Sequence, residues 1–115
     1  MRFQNIFKQK CTEMDKKIAI TCYTELKNIE EISYRDLLYS VDSLIFNLTN
    51  IGMKSGMRII IIPEYNIDTY IYTIALACMG ITIVALDKDT PMQLLEKEIT
   101  ELKPAAIIAS KKVYD

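Results

Sequence analysis

The sequence has no histidine and no tryptophan, and only three glycines, three prolines and three cysteines. Without histidine the chain cannot form a Ser-His or Cys-His nucleophile pair or an imidazole metal site. A glycine-rich phosphate loop is also excluded. Gly52 and Gly56 fall in a turn that precedes a predicted strand, whereas such a loop lies between a strand and a helix. These scarcities leave no self-sufficient active site.

Cysteine usage and charge indicate the cellular setting. Cys11, Cys22 and Cys78 are odd in number and share no metal-ligand spacing. Residues 1–14 are too polar to hold the apolar segment of a secretory signal, so we expect reduced thiols and a cytoplasmic location. The formal net charge of -1 gives no electrostatic reason to expect nucleic acid or an anionic membrane as a partner.

Length and composition fit one soluble globular domain or part of one, since 50% of the 115 residues are hydrophobic and 25% are charged. One stretch leaves an alternative open. Residues 69–86 carry no charge and approach the lower length limit of a membrane-spanning helix. Gly80 interrupts this stretch and β-branched residues follow it, which favours a helix and then a strand.

The chain is organised around a strand-helix-strand pattern. The β-branched run at 58–62 predicts a strand buried on both faces of a parallel sheet. Asn66 is the predicted cap of a helix over 67–79, and Gly80 ends that helix in the left-handed conformation. A second apolar strand over 81–86 completes a right-handed crossover unit.

The rest of the chain adds elements before and after this unit. Before it come a helix over 5–14 with Ile6, Phe7, Cys11 and Met14 on one side, and a hairpin of strands at 17–23 and 31–34 around a polar turn at 24–30. A helix capped by Ser33 and closed by Asn50 and Gly52 follows the hairpin. After the unit come a helix capped by Thr90 that buries Leu94, Leu95, Ile99 and Leu102, and a short strand over 105–109. This order predicts an α/β layer structure.

Acidic and aromatic residues give candidates but no assigned site. Two glutamate pairs fall in polar surface contexts, although catalytic pairs need desolvated or coupled surroundings: Glu30 with Glu31, and Glu96 with Glu98. Asp87 and Asp89 follow a predicted strand, where open α/β sheets place ligands, but a loop leading into a helix is the favoured interpretation. The seven tyrosines mostly suit buried rings with the hydroxyl at an edge. We therefore assign no catalytic, cofactor-binding or metal-binding residue.

Three short stretches carry a resemblance to a known family. Residues 32–37 read Ile-Ser-Tyr-Arg-Asp-Leu, residues 50–59 include Gly52 and Gly56-Met57-Arg58-Ile59, and residues 76–87 read Leu-Ala-Cys-Met-Gly-Ile-Thr-Ile-Val-Ala-Leu-Asp. In the same order they resemble L-T-Y-x-E-L, L-G-V-x-x-G-D-R-V and L-K-A-G-x-x-x-V-P-L-D. These belong to the N-terminal portion of adenylate-forming enzymes, the AMP-binding superfamily of acyl-CoA synthetases and peptide-synthetase adenylation domains.

The resemblance implies a fold and a context. Residues 1–115 would form a single partial domain, an N-terminal subdomain segment with a layered parallel sheet, crossover helices and a leading helix and hairpin. In the family the phosphate loop, the adenine and carboxylate pocket and the catalytic lysine lie downstream, so no catalytic residue is carried over. ATP and magnesium are implied for the full-length family and not for this segment. The implied partner is the remainder of the domain or a partner chain.

The departures from the family pattern leave the substrate branch open. Met57 replaces the usual acid, Ala85 the usual proline, and Cys78-Met79 stands where Lys-Ala or Arg-Ala is common. Two other hypotheses stand beside a segment of a carboxylate-activating ligase. One is a non-catalytic α/β module that binds a protein through an exposed sheet edge, and the least favoured is a membrane span over 69–86. Because nothing follows the last strand to cover it, we also expect self-association or a need for a partner chain.

Overall fold

The computed structural model describes residues 2–23 and 28–109. In chain order the elements are α1 (Arg2–Glu13), β1 (Ile18–Tyr23), β2 (Ile29–Ser33), α2 (Tyr34–Asn50), β3 (Arg58–Ile61), α3 (Ile67–Cys78), β4 (Thr82–Ala85), α4 (Met92–Leu102) and β5 (Ala106–Ile108). This order confirms the α/β layer prediction, with element ends shifted by a few residues. Of the predicted turn at 24–30, residues 24–27 lie outside the described residues, and Ile29 and Glu30 belong to β2.

β3 is the centre of a three-stranded parallel sheet with the order β4-β3-β5. Ile59 and Ile61 contact the same core cluster as Leu76 of α3. Arg58, whose side chain points to the opposite face because strands alternate, donates from Nη1 to the carbonyl of Leu102 at the end of α4 at 3.3 Å. The helices α3 and α4 therefore cover opposite faces of the sheet. This follows from right-handed connections, because the chain moves from β3 to β4 in one direction and returns past β3 to β5 in the other.

The core lies mainly between the sheet and the helices α2 and α3. Ile59 and Ile60 of β3 and Leu76 of α3 are fully buried, and α2 packs its predicted apolar stripe inward through Leu37, Val41 and Leu48. The antiparallel pair of β1 and β2 packs against the same helices through partly buried side chains. Burial of the apolar face of α2 fixes this helix over the hairpin and the sheet.

The caps of α2 and α3 form as the sequence predicts, whereas the cap of α4 does not. Ser33 Oγ accepts from the amide of Asp36 at 3.1 Å, and Asn66 Oδ1 accepts from the amide of Thr69 at 2.9 Å. At α4 the capping residue is Pro91, which makes no side-chain cap bond. Thr90 instead donates its hydroxyl to the carbonyl of Asp87 at 2.6 Å, a local bond that competes with helix capping.

Several residues that were predicted to be buried are exposed, because no other element in the described chain covers their side of the helix or strand. In α4 only Leu95 is buried, and Leu94 is 46% exposed. β4 is an edge strand with Thr82 and Ala85 exposed. On α1 Ile6 is exposed and Cys11 is buried, since the two lie about 140° apart around the helix.

The tyrosines also depart from the expectation of buried rings. Four of those in the described residues are exposed: Tyr23, Tyr39, Tyr65 and Tyr70. They lie on the solvent side of a strand, two helices and a loop, where alternation or helical position turns the ring away from the core. Tyr114 lies outside the described residues.

The molecule is flat and exposes much surface for its size. Its principal extents are 45 × 37 × 20 Å and its radius of gyration is 15.2 Å, whereas a compact domain of this length has about 13 Å. Its accessible surface of 8034 Å² compares with about 6,500 Å² for a typical monomer of the same mass. The fold therefore leaves faces that a compact domain would bury.

Candidate functional site

The candidate site is a cavity of about 210 Å³ beside the carboxyl ends of β3 and β5. Its apolar wall includes Ile61 and Ile108, and its polar wall comes from the loop after β3 and the first turns of α3. Open α/β sheets bind ligands at this edge, which makes it the first place to examine.

The polar wall is held together by hydrogen bonds within the chain. Asn66 accepts from the amide of Thr69 through Oδ1 and donates through Nδ2 to Glu64 Oε2 at 3.3 Å. Thr69 Oγ1 in turn accepts from the amide of Glu64 at 3.3 Å. The bond to Asn66 satisfies the Thr69 amide in the first turn of α3, and the two bonds to Glu64 fix the loop, so the residues act first as a helix cap.

The charge on this wall disfavours a phosphate. Glu64 and Asp68 place two carboxylates beside the start of α3. Backbone N–H groups and the helix dipole attract anions at such an end, but the carboxylates already supply the negative charge there. The cavity therefore lacks the electrostatics of a nucleotide phosphate site.

The acidic residues that the sequence singled out do not join this cavity. Asp87 and Asp89 follow β4, where Asp87 Oδ1 accepts from the amide of Asp89 at 3.0 Å in a local turn. Glu30 and Glu31 are exposed on β2, and Glu96 is exposed on α4. Within residues 2–23 and 28–109, no cluster of cysteines and carboxylates is placed to hold a metal ion.

Two buried cysteines form the other group that the sequence did not bring together. Cys11 of α1 and Cys78 of α3 are free thiols with almost no exposure. Burial raises the pKa of both thiols, and the negative charge of Asp42 raises each pKa further. Lys8 opposes this shift at Cys78 without cancelling it. Nucleophilic cysteines have the opposite environment, so these thiols have a packing role.

The membrane alternative can be tested on the helices of the structure. In the described part of the chain, no helix combines the length and the apolar character that a bilayer crossing needs. Residues 69–86 form most of α3, a turn at Gly80 and the strand β4.

Several solved structures share the fold of this chain, and one of them contains an adenylation domain. The N-terminal subdomain of Klebsiella oxytoca NpsA, in complex with anthranilyl-AMSN, superimposes with a TM-score of 0.80 and 20% identity over 93% of this chain and 27% of that chain. CmiS6 gives a TM-score of 0.80 and 21% identity over 95% of this chain and 28% of that chain. NpsA-ThdA is an artificially fused Adenylation-PCP di-domain from the same organism. It superimposes with a TM-score of 0.80 and 20% identity over 93% of this chain and 19% of that chain.

The chain has the fold of an adenylation-domain segment. This confirms the fold that the resemblance implies. The chain spans about a quarter of the length of the solved NpsA subdomain. No family model matches the sequence, and no curated protein matches it.

Proposed function

We propose that the chain is a structural segment of an ATP-dependent, carboxylate-activating ligase of the adenylate-forming type, and that it is not catalytic by itself. The observation that carries this proposal is the superposition over 93% of this chain but only 27% of the NpsA subdomain. The whole enzyme would join a carboxylic acid to AMP with release of pyrophosphate and pass the acyl group to a thiol. ATP and magnesium would be bound by parts of the enzyme outside this segment. The enzyme would act in the cytoplasm.

The chemistry of adenylation supports the non-catalytic role. Charge that develops on the transferred phosphorus needs preorganised donors and cations around it. The three glycines lie in turns at element ends, with φ values of 96°, 89° and 71° at Gly52, Gly56 and Gly80. The cavity at the strand ends carries Glu64 and Asp68 where phosphate donors would be required.

An exchange assay tests this proposal. The purified chain is incubated with ATP, magnesium, labelled pyrophosphate and a panel of carboxylic acids, beside an intact adenylation domain as positive control. We expect no carboxylate-dependent exchange from this chain. Robust exchange that a point substitution in this chain abolishes would overturn the proposal.

A non-catalytic interaction module is the second candidate function. In the described residues no further strand lies beside β4 or β5, and this favours the module, because unpaired strand edges accept a strand from another protein. Reading the coding sequence beyond Asp115 separates the two candidates. An in-frame Ser/Thr/Gly-rich phosphate loop supports the ligase segment, and a stop codon beside an unrelated gene supports the module.

A further inference from the structure

The outward face of α2 carries a regular stripe of exposed side chains. Arg35, Tyr39, Asp42 and Phe46 are all exposed and follow one another at intervals of four, three and four residues. At 100° per residue they lie within about 60° of one another around the helix. They lie opposite the buried face of α2 that includes Val41. We name these four residues the outer stripe.

Both the spacing and the shape of the outer stripe match a helix-pairing seam. Intervals of four and three residues are those of the a and d positions of a coiled coil. A shallow groove of about 500 Å³ follows the stripe and is lined by Tyr39, Asp42, Ser43, Phe46 and Asn47. The first four of these residues stand at i, i+3, i+4 and i+7, which is the set that forms a hole for a knob from a facing helix.

The aromatic rings of the stripe are largely exposed, and within the described residues the Asp42 charge acts through its field on the buried thiols of Cys11 and Cys78. Tyr39 is 75% exposed and Phe46 is 67% exposed. In the described residues, neither the Arg35 guanidinium nor the Asp42 carboxylate makes a hydrogen bond or an ion pair. The stripe thus presents two aromatic rings and an arginine, which are residue types enriched at interface centres, beside one carboxylate.

We infer that the outer stripe is the contact surface of a two-fold dimer in which α2 packs antiparallel to α2 of a second copy. One register sets Tyr39 opposite Asp42 of the second copy and Arg35 opposite Phe46 of the second copy. Both pairs share the same midpoint, between residues 40 and 41. The two-fold axis repeats each contact, so one surface complements itself.

The chemistry of each layer fits this register. The Tyr39 hydroxyl donates to the opposing Asp42 carboxylate, and the Arg35 guanidinium lies on the opposing Phe46 ring in a cation–π contact. Arg35 also lies one turn from the opposing Asp42, within reach of its long side chain. A parallel pair would set Asp42 against Asp42 and Arg35 against Arg35, and this repulsion selects the antiparallel pair.

The extent of the contact sets its strength. α2 has 17 residues and is about 25 Å long at 1.5 Å per residue. A single helix pair of this length buries less surface than a stable interface needs, so the dimer is weak and reversible.

Sedimentation equilibrium over about a hundredfold range of concentration tests the inference. The wild-type chain should pass from monomer to dimer and no further. The single changes Asp42→Arg and Arg35→Glu should each weaken the dimer by about tenfold or more, because each sets like charges together. The double variant should recover most of the association. Tyr65→Ala removes an 86% exposed ring on another surface and serves as control, and far-ultraviolet circular dichroism checks folding of every variant.

The direction of pairing has its own test. Mixed chains carrying Tyr39→Cys and Asp42→Cys should form an intermolecular disulfide under mild oxidation, and neither variant alone should do so. Cys11 and Cys78 are changed to alanine in both chains, because position 42 lies close enough to both thiols for its charge to act on them, and the new thiol must react only with the second copy. A monomer at every concentration, growth beyond a dimer, association that the charge changes leave intact, or disulfides between identical variants would each overturn the inference.

Discussion

At the scale of the residue, Gly80 ends α3 by adopting a conformation that other residues resist. Its φ is 71°, and the turn is closed by hydrogen bonds from the Gly80 amide to the Ala77 carbonyl and from the Ile81 amide to the Leu76 carbonyl. The chain then enters β4 at once, so the angle between α3 and the sheet depends on this residue.

Replacing Gly80 therefore tests the link between backbone conformation and stability. We expect Gly80→Val to lower the free energy of unfolding by about 1–3 kcal/mol, because a β-branched residue is strained at positive φ. Gly80→Asn is the matched control and should lose less, since asparagine tolerates the left-handed region. Denaturant midpoints measure both changes, and equal midpoints for wild type and Gly80→Val would show that the turn is not needed.

The cap of α3 gives a second prediction for single residues. Asn66→Ala removes the acceptor for the Thr69 amide and the donor to Glu64, so we expect a loss of about 1 kcal/mol. Gln93→Ala is the control, since Gln93 is exposed in the first turn of α4 and no side-chain cap forms there. Urea unfolding of the two variants should separate them. Equal losses would contradict the cap assignment.

The buried thiols give a pH dependence with a defined sign. Because the pKa of Cys11 and of Cys78 is raised from the ordinary value of 9.0, the folded state holds these protons more tightly than the unfolded state. Their contribution to stability is complete below pH 9.0 and is lost as the pH rises through the raised pKa values. Unfolding free energies measured between about pH 8 and pH 10 should fall in the wild type and fall less in Cys78→Ala. An equal fall in both would contradict this origin.

At the scale of the element, the sequence predicted order and type well and burial less well. The apolar face of α2 and the β-branched run of β3 are each predicted from residues within the element itself, and both are buried as predicted. Leu94 of α4 and the ends of β4 were assigned to the core on the same evidence, yet they are exposed. Periodicity shows which side of an element is apolar, but the neighbour that covers it depends on the topology.

The candidate site shows the same division. The sequence identified Asn66 as a cap, which is its role in the cavity wall. It did not predict that Cys11, Asp42 and Cys78 come together, because that cluster joins three helices far apart in the chain. Contacts between distant elements follow from packing, which no local pattern contains.

At the scale of the whole molecule, the open surface determines stability. Ile60 of β3 is fully buried, whereas Ile107 on the neighbouring β5 is 39% exposed. The flat shape and the accessible surface of 8034 Å² mean that this chain buries less apolar area than a compact domain of its length. Since a domain is stable by only about 5–15 kcal/mol, a shortfall of this kind removes a large part of the margin.

We therefore expect the isolated chain to be marginally stable and to depend on association. Its unfolding midpoint in urea should be low and should rise with protein concentration, because any contact made only by the folded state stabilises it by mass action. Arg35→Glu, which disrupts the outer stripe, should make the midpoint less dependent on concentration, and Tyr65→Ala should not. Cooperative unfolding at high denaturant, with a midpoint independent of concentration, would show a complete small domain and would contradict the ligase-segment proposal.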